Sequence, residues 1–244
     1  MITKPILKIH KKKAEIYQTA AEIFVEKAQA AIKKKEKFTV CLSGGNTPKP
    51  LYELLATPEY AEQINWKKCH VFFGDERCVP DTHDDSNYAM VYDALLKKVK
   101  VPKSQVYKID GSKTPRQAAQ AYTQVFQNFF GATKPFFDLA FLGMGTDGHI
   151  ASMFPGTDAI RMVRKRVREV KMAKNKPWRI TLTSSMFNRS KSVVLLVAGK
   201  RKSTVLKEVL EGAYQPEILP AQVLRNALGE VTWLLDEGAA SALA

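Results

Sequence analysis

Apolar residues recur at helical spacing over residues 13–35, where Ala14, Tyr17, Ala21, Phe24, Val25 and Ala28 form one stripe among lysines and glutamates. That spacing predicts an amphipathic helix. The period then changes. Lys37–Leu42 is an apolar run of strand length that leads directly into Ser43, Gly44, Gly45, Asn46, Thr47 and Pro48. A helix is expected over Lys49–Leu55, with Pro48 in its first turn. The pattern repeats in kind. His70–Phe73 predicts a strand ending at Gly74, Asp75, Glu76 and Arg77, followed by a loop over Val79–Asp85. A helix over Ser86–Lys97 with Ser86 as N-cap comes next, and then a short strand over Gln105–Ile109. Thr114 and Pro115 open a helix that continues through Phe130. Phe136–Leu142 reads as a buried strand that breaks into Gly143, Gly145 and Gly148. Strands follow over Arg166–Met172 and Arg179–Thr183, then a short helix over Ser184–Asn188. Ser192–Ala198 is almost continuous Val and Leu, which fits a strand buried on both faces. A helix over Lys200–Leu210, a strand over Glu230–Leu235 and a terminal helix over Glu237–Leu243 complete the chain.

Strands alternating with helices from end to end predict an α/β protein, a three-layer Rossmann-like fold with a mostly parallel sheet and helices on both faces. No low-complexity linker or composition break divides the 244 residues, so a single domain over 1–244 is expected.

Charge changes the picture more than composition does. The 38 basic and 24 acidic residues leave a net charge of +14, which raises the question of nucleic acid. Most of the basic residues are dispersed, and Lys11–Lys13, Lys33–Lys35 and Lys97–Lys98 look like solvated helix ends. The stretch Arg161–Arg168 is the concentrated patch, and a charged face or guarded strand edge is expected there. No interleaving of basic and aromatic residues suggests an RNA-recognition surface, so no nucleic-acid partner is expected; a basic balance also steers a small anion. Cys41, Cys69 and Cys78 are odd in number and lack metal-ligand spacing, which fits reduced cysteines in a cytoplasmic protein. No apolar run has the length of a signal peptide core or a membrane span, so no membrane partner is expected. The chain is expected to act as a monomer or homodimer.

Candidate chemistry collects in three turns that each follow a strand: Ser43–Pro48, Gly74–Arg77 and Gly143–His149. In a doubly wound sheet such turns gather at one edge and line one crevice. The first is neither a Walker motif nor GxGxxG, yet strand, glycine turn and helix start together aim free N–H groups at an anion. Taken alone, Asp75, Glu76 and Arg77 read as an exposed, locally ion-paired turn. The third holds Asp147 and His149 at its tip.

The residues Ser43 to Lys49, Gly74 to Pro80 with Asp85, Ser86, Asn87 and Tyr88, and Leu142 to Gly156 resemble the signatures of the 6-phosphogluconolactonase family. Arg179–Thr183, Val197 to Gly199 with Lys202, and Glu230–Asp236 extend the likeness, which covers roughly residues 12 to 240 in order. The resemblance implies hydrolysis of 6-phospho-D-glucono-1,5-lactone, a small-molecule sugar phosphate lactone, with no cofactor and no metal. It implies that His149 is the general base. Asp147 would orient the imidazole or bind sugar hydroxyls. An imidazole, with an ordinary pKa near ~6.5, suits proton abstraction at neutral pH. N–H groups of the Gly143–Gly148 turn are candidate oxyanion donors. Ser43, Gly44, Gly45, Asn46, Thr47, Asp75, Arg77, Arg179 and Lys202 are the candidate substrate and phosphate contacts, the arginines because a guanidinium grips phosphate through paired donors. Asn46 and Thr146 depart from the family's common Ser and Pro but suit turns. A deaminase of the same superfamily is the nearest alternative. It would need a glutamate five residues beyond His149, where this chain has Phe154. A non-catalytic sugar-phosphate sensor is the other, and residues 1–36 offer no DNA-reading helix pair for it.

Overall fold

The computed structural model describes residues 4–131, 136–162 and 164–244. Ten strands form two sheets. Seven of them make a fully parallel sheet: β1 (Ile6–His10), β2 (Phe38–Leu42), β3 (Cys69–Phe73), β5 (Val106–Tyr107), β6 (Leu139–Gly143), β9 (Ser192–Val197) and β10 (Glu230–Asp236). Their order is β1-β10-β9-β6-β2-β3-β5. Every residue of β2 and β9 is buried, as expected where helices cover both faces of a parallel sheet. The helix Lys13–Lys35 follows the expected stripe from Tyr17 onward, burying Tyr17, Ala21, Phe24, Val25 and Ala28, while Ala14 in its first turn is exposed.

The remaining strands correct the expectation of one sheet. β4 (Asp75–Arg77), β7 (Val167–Val170) and β8 (Arg179–Leu182) form a separate antiparallel sheet in the order β4-β8-β7. The physical reason lies in their composition. β7 places the charged pair Arg168 and Glu169, both half-exposed, between Val167 and Val170, unlike the continuous apolar runs of the buried parallel strands. Asp75 and Glu76 are not an exposed turn; both are buried, 5% and 2% exposed, because they belong to this sheet. β1 was not foreseen, since Lys4, Lys8 and Lys11 obscure its apolar alternation. The helix expected over Ser86–Lys97 is an α-helix over Asn87–Val91 that widens into a π turn over Tyr92–Leu96.

Two buried tyrosines fix where the strands open into the site. The Tyr52 hydroxyl accepts from the Ser43 N–H at 3.0 Å and donates to the Ser43 carbonyl at 2.7 Å, just past the end of β2. Tyr122 does the same at the end of β3, with the Phe73 N–H at 2.8 Å and the Phe73 carbonyl at 3.1 Å. Burial pushes both phenols well above their ordinary range, so each stays a neutral donor and acceptor. Among the described residues no helix is long and apolar enough to cross a membrane.

Candidate active site

All three turns line one cleft, together with residues from β8 and the start of the helix after β9. The lining includes Ser43, Gly44, Gly45, Asn46, Thr47, Asp75, Arg77, His149, Arg179 and Lys202. Asp147, the other expected site residue, adjoins His149 and lies outside the lining.

Gly145 explains the third turn. A Cβ built there would lie 2.2 Å from His149 Nδ1 and 2.5 Å from an Asp147 carboxylate oxygen, so the acid–imidazole pair rests directly on this glycine. Asp147 Oδ1 lies 2.6 Å from His149 Nδ1 and also accepts the His149 N–H at 3.2 Å. Partial burial works to raise the Asp147 carboxyl. The hydrogen bond and charge of His149 outweigh it, and the pKa is lowered. The imidazole packs on the Phe154 ring with centroids 4.3 Å apart, and the Arg179 guanidinium lies 5.6 Å from that ring's centroid. Phe154 is thus a wedge between the two. Ala151, also in the lining, takes a left-handed φ of 49°, a conformation that costs a residue with a Cβ.

Two of the donors expected of the turn are already used. The Gly145 N–H is spent on the His149 carbonyl at 2.8 Å and the Gly148 N–H on the Gly145 carbonyl at 3.2 Å. Closing a turn this tight uses those groups, so neither is free for an oxyanion. Ser43 is corrected in the same way. It lines the cleft, but its N–H goes to Tyr52 and its hydroxyl donates to the Phe141 carbonyl at 2.7 Å. Its part is to hold the turn. By contrast, the N–H groups of Gly44, Gly45, Asn46 and Thr47 have no acceptor among the described residues. Gly44 must be glycine because a Cβ there would fall 1.7 Å from Asn87 Oδ1.

Charge is arranged under constraint. Arg77 on β4 faces Arg179 on β8 in direct register, and both line the cleft. Like charges directly opposite on paired strands are unfavourable. Burial, and then Arg77, lower the Arg179 pKa. The nearest carboxylate relief is Asp75, 4.0 Å from Arg179 Nη1. That carboxylate is held by the Ser152 hydroxyl at 2.6 Å and Asn87 Nδ2 at 3.3 Å. Arg77 is fixed by the Asp85 carbonyl. Lys202 Nζ donates to the Met144 carbonyl at 2.5 Å, and burial followed by Lys13 lowers its pKa against an opposing effect of Asp236. Three cations therefore share a cleft with one carboxylate. Among the described residues no group of three or more His, Cys, Asp or Glu side chains is placed to hold a metal.

The supporting residues Asn87, Ser152, Phe154 and Glu76 were not singled out as site residues by sequence. Glu76, buried beneath β4, accepts the Asn87 and Tyr88 N–H groups at 2.7 Å each and so holds the helix that carries Asn87. The available signal was an acidic residue facing a helix start ten residues on.

Known proteins with this geometry are similar along the whole chain. The profile of the family described as glucosamine-6-phosphate isomerases/6-phosphogluconolactonase matches residues 11–233. A 6-phosphogluconolactonase of Nostoc sp. is 38% identical over 226 residues, 91% of each chain. One from Rattus norvegicus is 35% identical, covering 94% of this chain and 90% of its own. The structure of the Trypanosoma cruzi 6-phosphogluconolactonase superposes with a TM-score of 0.89 at 32% identity, covering 100% of this chain and 98% of that one. A monomeric glucosamine-6-phosphate deaminase, at 23% identity and a TM-score of 0.83, shares the fold. A family match over residues 11–233 and relatives above 30% identity across nearly the whole chain place it: the chain belongs to the glucosamine-6-phosphate isomerase/6-phosphogluconolactonase family.

Proposed function

We infer that this chain hydrolyses 6-phospho-D-glucono-1,5-lactone to 6-phosphogluconate, the second step of the oxidative pentose phosphate pathway. The observation that carries the chemistry is a cleft with unpaired anion donors at one side and an oriented imidazole at the other. Asp147 accepts the proton on His149 Nδ1 and leaves Nε2 with its lone pair, the tautomer a general base needs. Water attacking the lactone carbonyl gives a proton to Nε2; the tetrahedral adduct then collapses with cleavage of the ring C–O bond, and the leaving ring oxygen takes that proton from the imidazolium. Of the two roles open to Asp147, its place outside the lining supports orientation of the imidazole over contact with sugar hydroxyls.

The phosphate is held by the free N–H groups of Gly44–Thr47 and by cations from Arg77, Arg179 and Lys202. A dianion relieves the repulsion between the two in-register arginines, so binding energy far from the lactone positions it for attack. Phe154 keeps the Arg179 guanidinium off the imidazole while packing on both. It also fills the place where the deaminase chemistry would require a carboxylate, and a phenyl ring exchanges no proton. Freshly prepared lactone followed by acid release tests the reading. Acceleration over buffer that vanishes in His149→Ala is expected. No acceleration, alongside tight 6-phosphogluconate binding, would leave a sensor.

A further inference from the structure

Five cationic side chains play no part in the reaction above yet line one cleft of about 600 Å³: Arg116, Arg164, Lys165, Arg166 and Arg168. The cleft lies between the helix Pro115–Phe130 and residues 164–169, and Glu169 is the one acidic residue in its lining. The basic run is divided by how its charges are met. Arg161 is neutralised by Glu217, with Nη2 2.8 Å from a carboxylate oxygen. The five cleft cations have no carboxylate partner among the described residues. Arg166 meets neutral groups, the Gly131 carbonyl and the Phe136 ring. Arg166 Nη1 and Arg168 Nε are buried without any acceptor. A buried donor without an acceptor is destabilising, and an incoming acceptor that reaches it recovers the loss.

We propose that this cleft is a second anion site, separate from the catalytic one, and that it takes a compact polyanion carrying two or more adjacent phosphates. Three features select that class. Five cations against one carboxylate exceed what a single phosphate dianion can use. The volume lies within the roughly 300–1,000 Å³ of small-ligand sites rather than forming an open stripe. Among the described residues no aromatic ring lines the cleft, so they offer it none of the stacking platforms by which single-stranded nucleic acid is held. Gln120 and Gln127 on the helix add neutral donors and acceptors beside the charges.

The test measures inorganic tripolyphosphate binding by calorimetry in about 150 mM salt, near a physiological ionic strength. Saturating 6-phosphogluconate keeps the catalytic cleft occupied. One-to-one binding is expected, weakened at least tenfold in the Arg116→Glu/Arg164→Glu variant. Both residues are exposed and make no side-chain contact that folding needs, and glutamate suits Arg116's place in the first helical turn. Unchanged lactone turnover in that variant verifies its fold. No binding, or binding unaffected by the charge reversal, overturns the site. Affinity for a single-stranded RNA oligomer that rises with its length and exceeds that for tripolyphosphate overturns the ligand class. Because the catalytic site is filled throughout, failure here would leave the lactone assay's outcome untouched.

Discussion

Two groups of cations border the small antiparallel sheet, and the protein treats them differently. Arg77, Arg179 and Lys202 are drawn into the catalytic cleft, each tied to a carbonyl or set near Asp75. Arg116, Arg164 and Lys165 stand exposed in the second cleft, without fixed partners. Desolvating a charge costs several kcal/mol unless something returns it. The first group bears that cost and gains fixed geometry, which on the proposed function would let it read where on a sugar the phosphate sits. Arg116, Arg164 and Lys165 keep their hydration, so their pull on an anion weakens as salt screens it.

The comparison breaks most visibly at the base. His149→Ala should lower kcat by roughly 10²–10⁴-fold while product affinity stays within a few-fold, as initial rates and product calorimetry would show. Equal loss of both would make His149 a binding residue. Next in size, Arg179→Gln should raise KM by about 10–100-fold, the worth of a charge-assisted hydrogen bond, with a smaller change in kcat. If Arg164→Gln raised KM as much, the two groups would not be functionally distinct. Phe154→Leu should cost about 2–5-fold in kcat/KM through loss of ring contacts worth about 0.5–1 kcal/mol, and Phe154→Tyr should restore most of it. A leucine variant with unaltered kinetics would reduce the ring to filler.

Asp138 shows a third treatment of charge, at the opposite end of β6. It is 4% exposed, accepts the Thr39 N–H and hydroxyl, and pairs with Lys35 and Lys191 at 2.8 Å each. Burial works against its ionisation, but Lys191, Lys35 and the Thr39 N–H prevail and lower its pKa. A lowered folded-state value makes its contribution complete above the unfolded carboxylate pKa, near ~3.9, and lost as pH falls through the folded value. Asp138→Asn should therefore lose about 1–2 kcal/mol at pH 7, the lysines being partly solvated, with the gap closing only below ~3.9. Urea melts at several pH values would reveal a constant gap if charge were irrelevant.

Local pattern made the strand–turn–helix units legible, because glycines and a change of period mark them within a few residues. Partners far away in sequence left no such mark. Ser43 beside a glycine turn looks the same whether its hydroxyl faces a ligand or the core, and the Phe141 carbonyl, 98 residues on, decides it. Asp75 reads as solvated until Ser152, 77 residues away, closes over it. The second sheet was hidden for the same reason, since β4 and β8 pair across a hundred residues of intervening chain.

The register of Arg77 against Arg179 makes the empty enzyme its own adversary. Two guanidiniums face each other across one ladder rung, so folding must proceed against the contact that function requires. A phosphate dianion bound as proposed would act as a structural member of this sheet, and saturating sugar phosphate should then raise the protein's resistance to heat and proteases. Selection for a sturdier fold alone would neutralise one of the pair first, and in doing so would remove the grip on substrate.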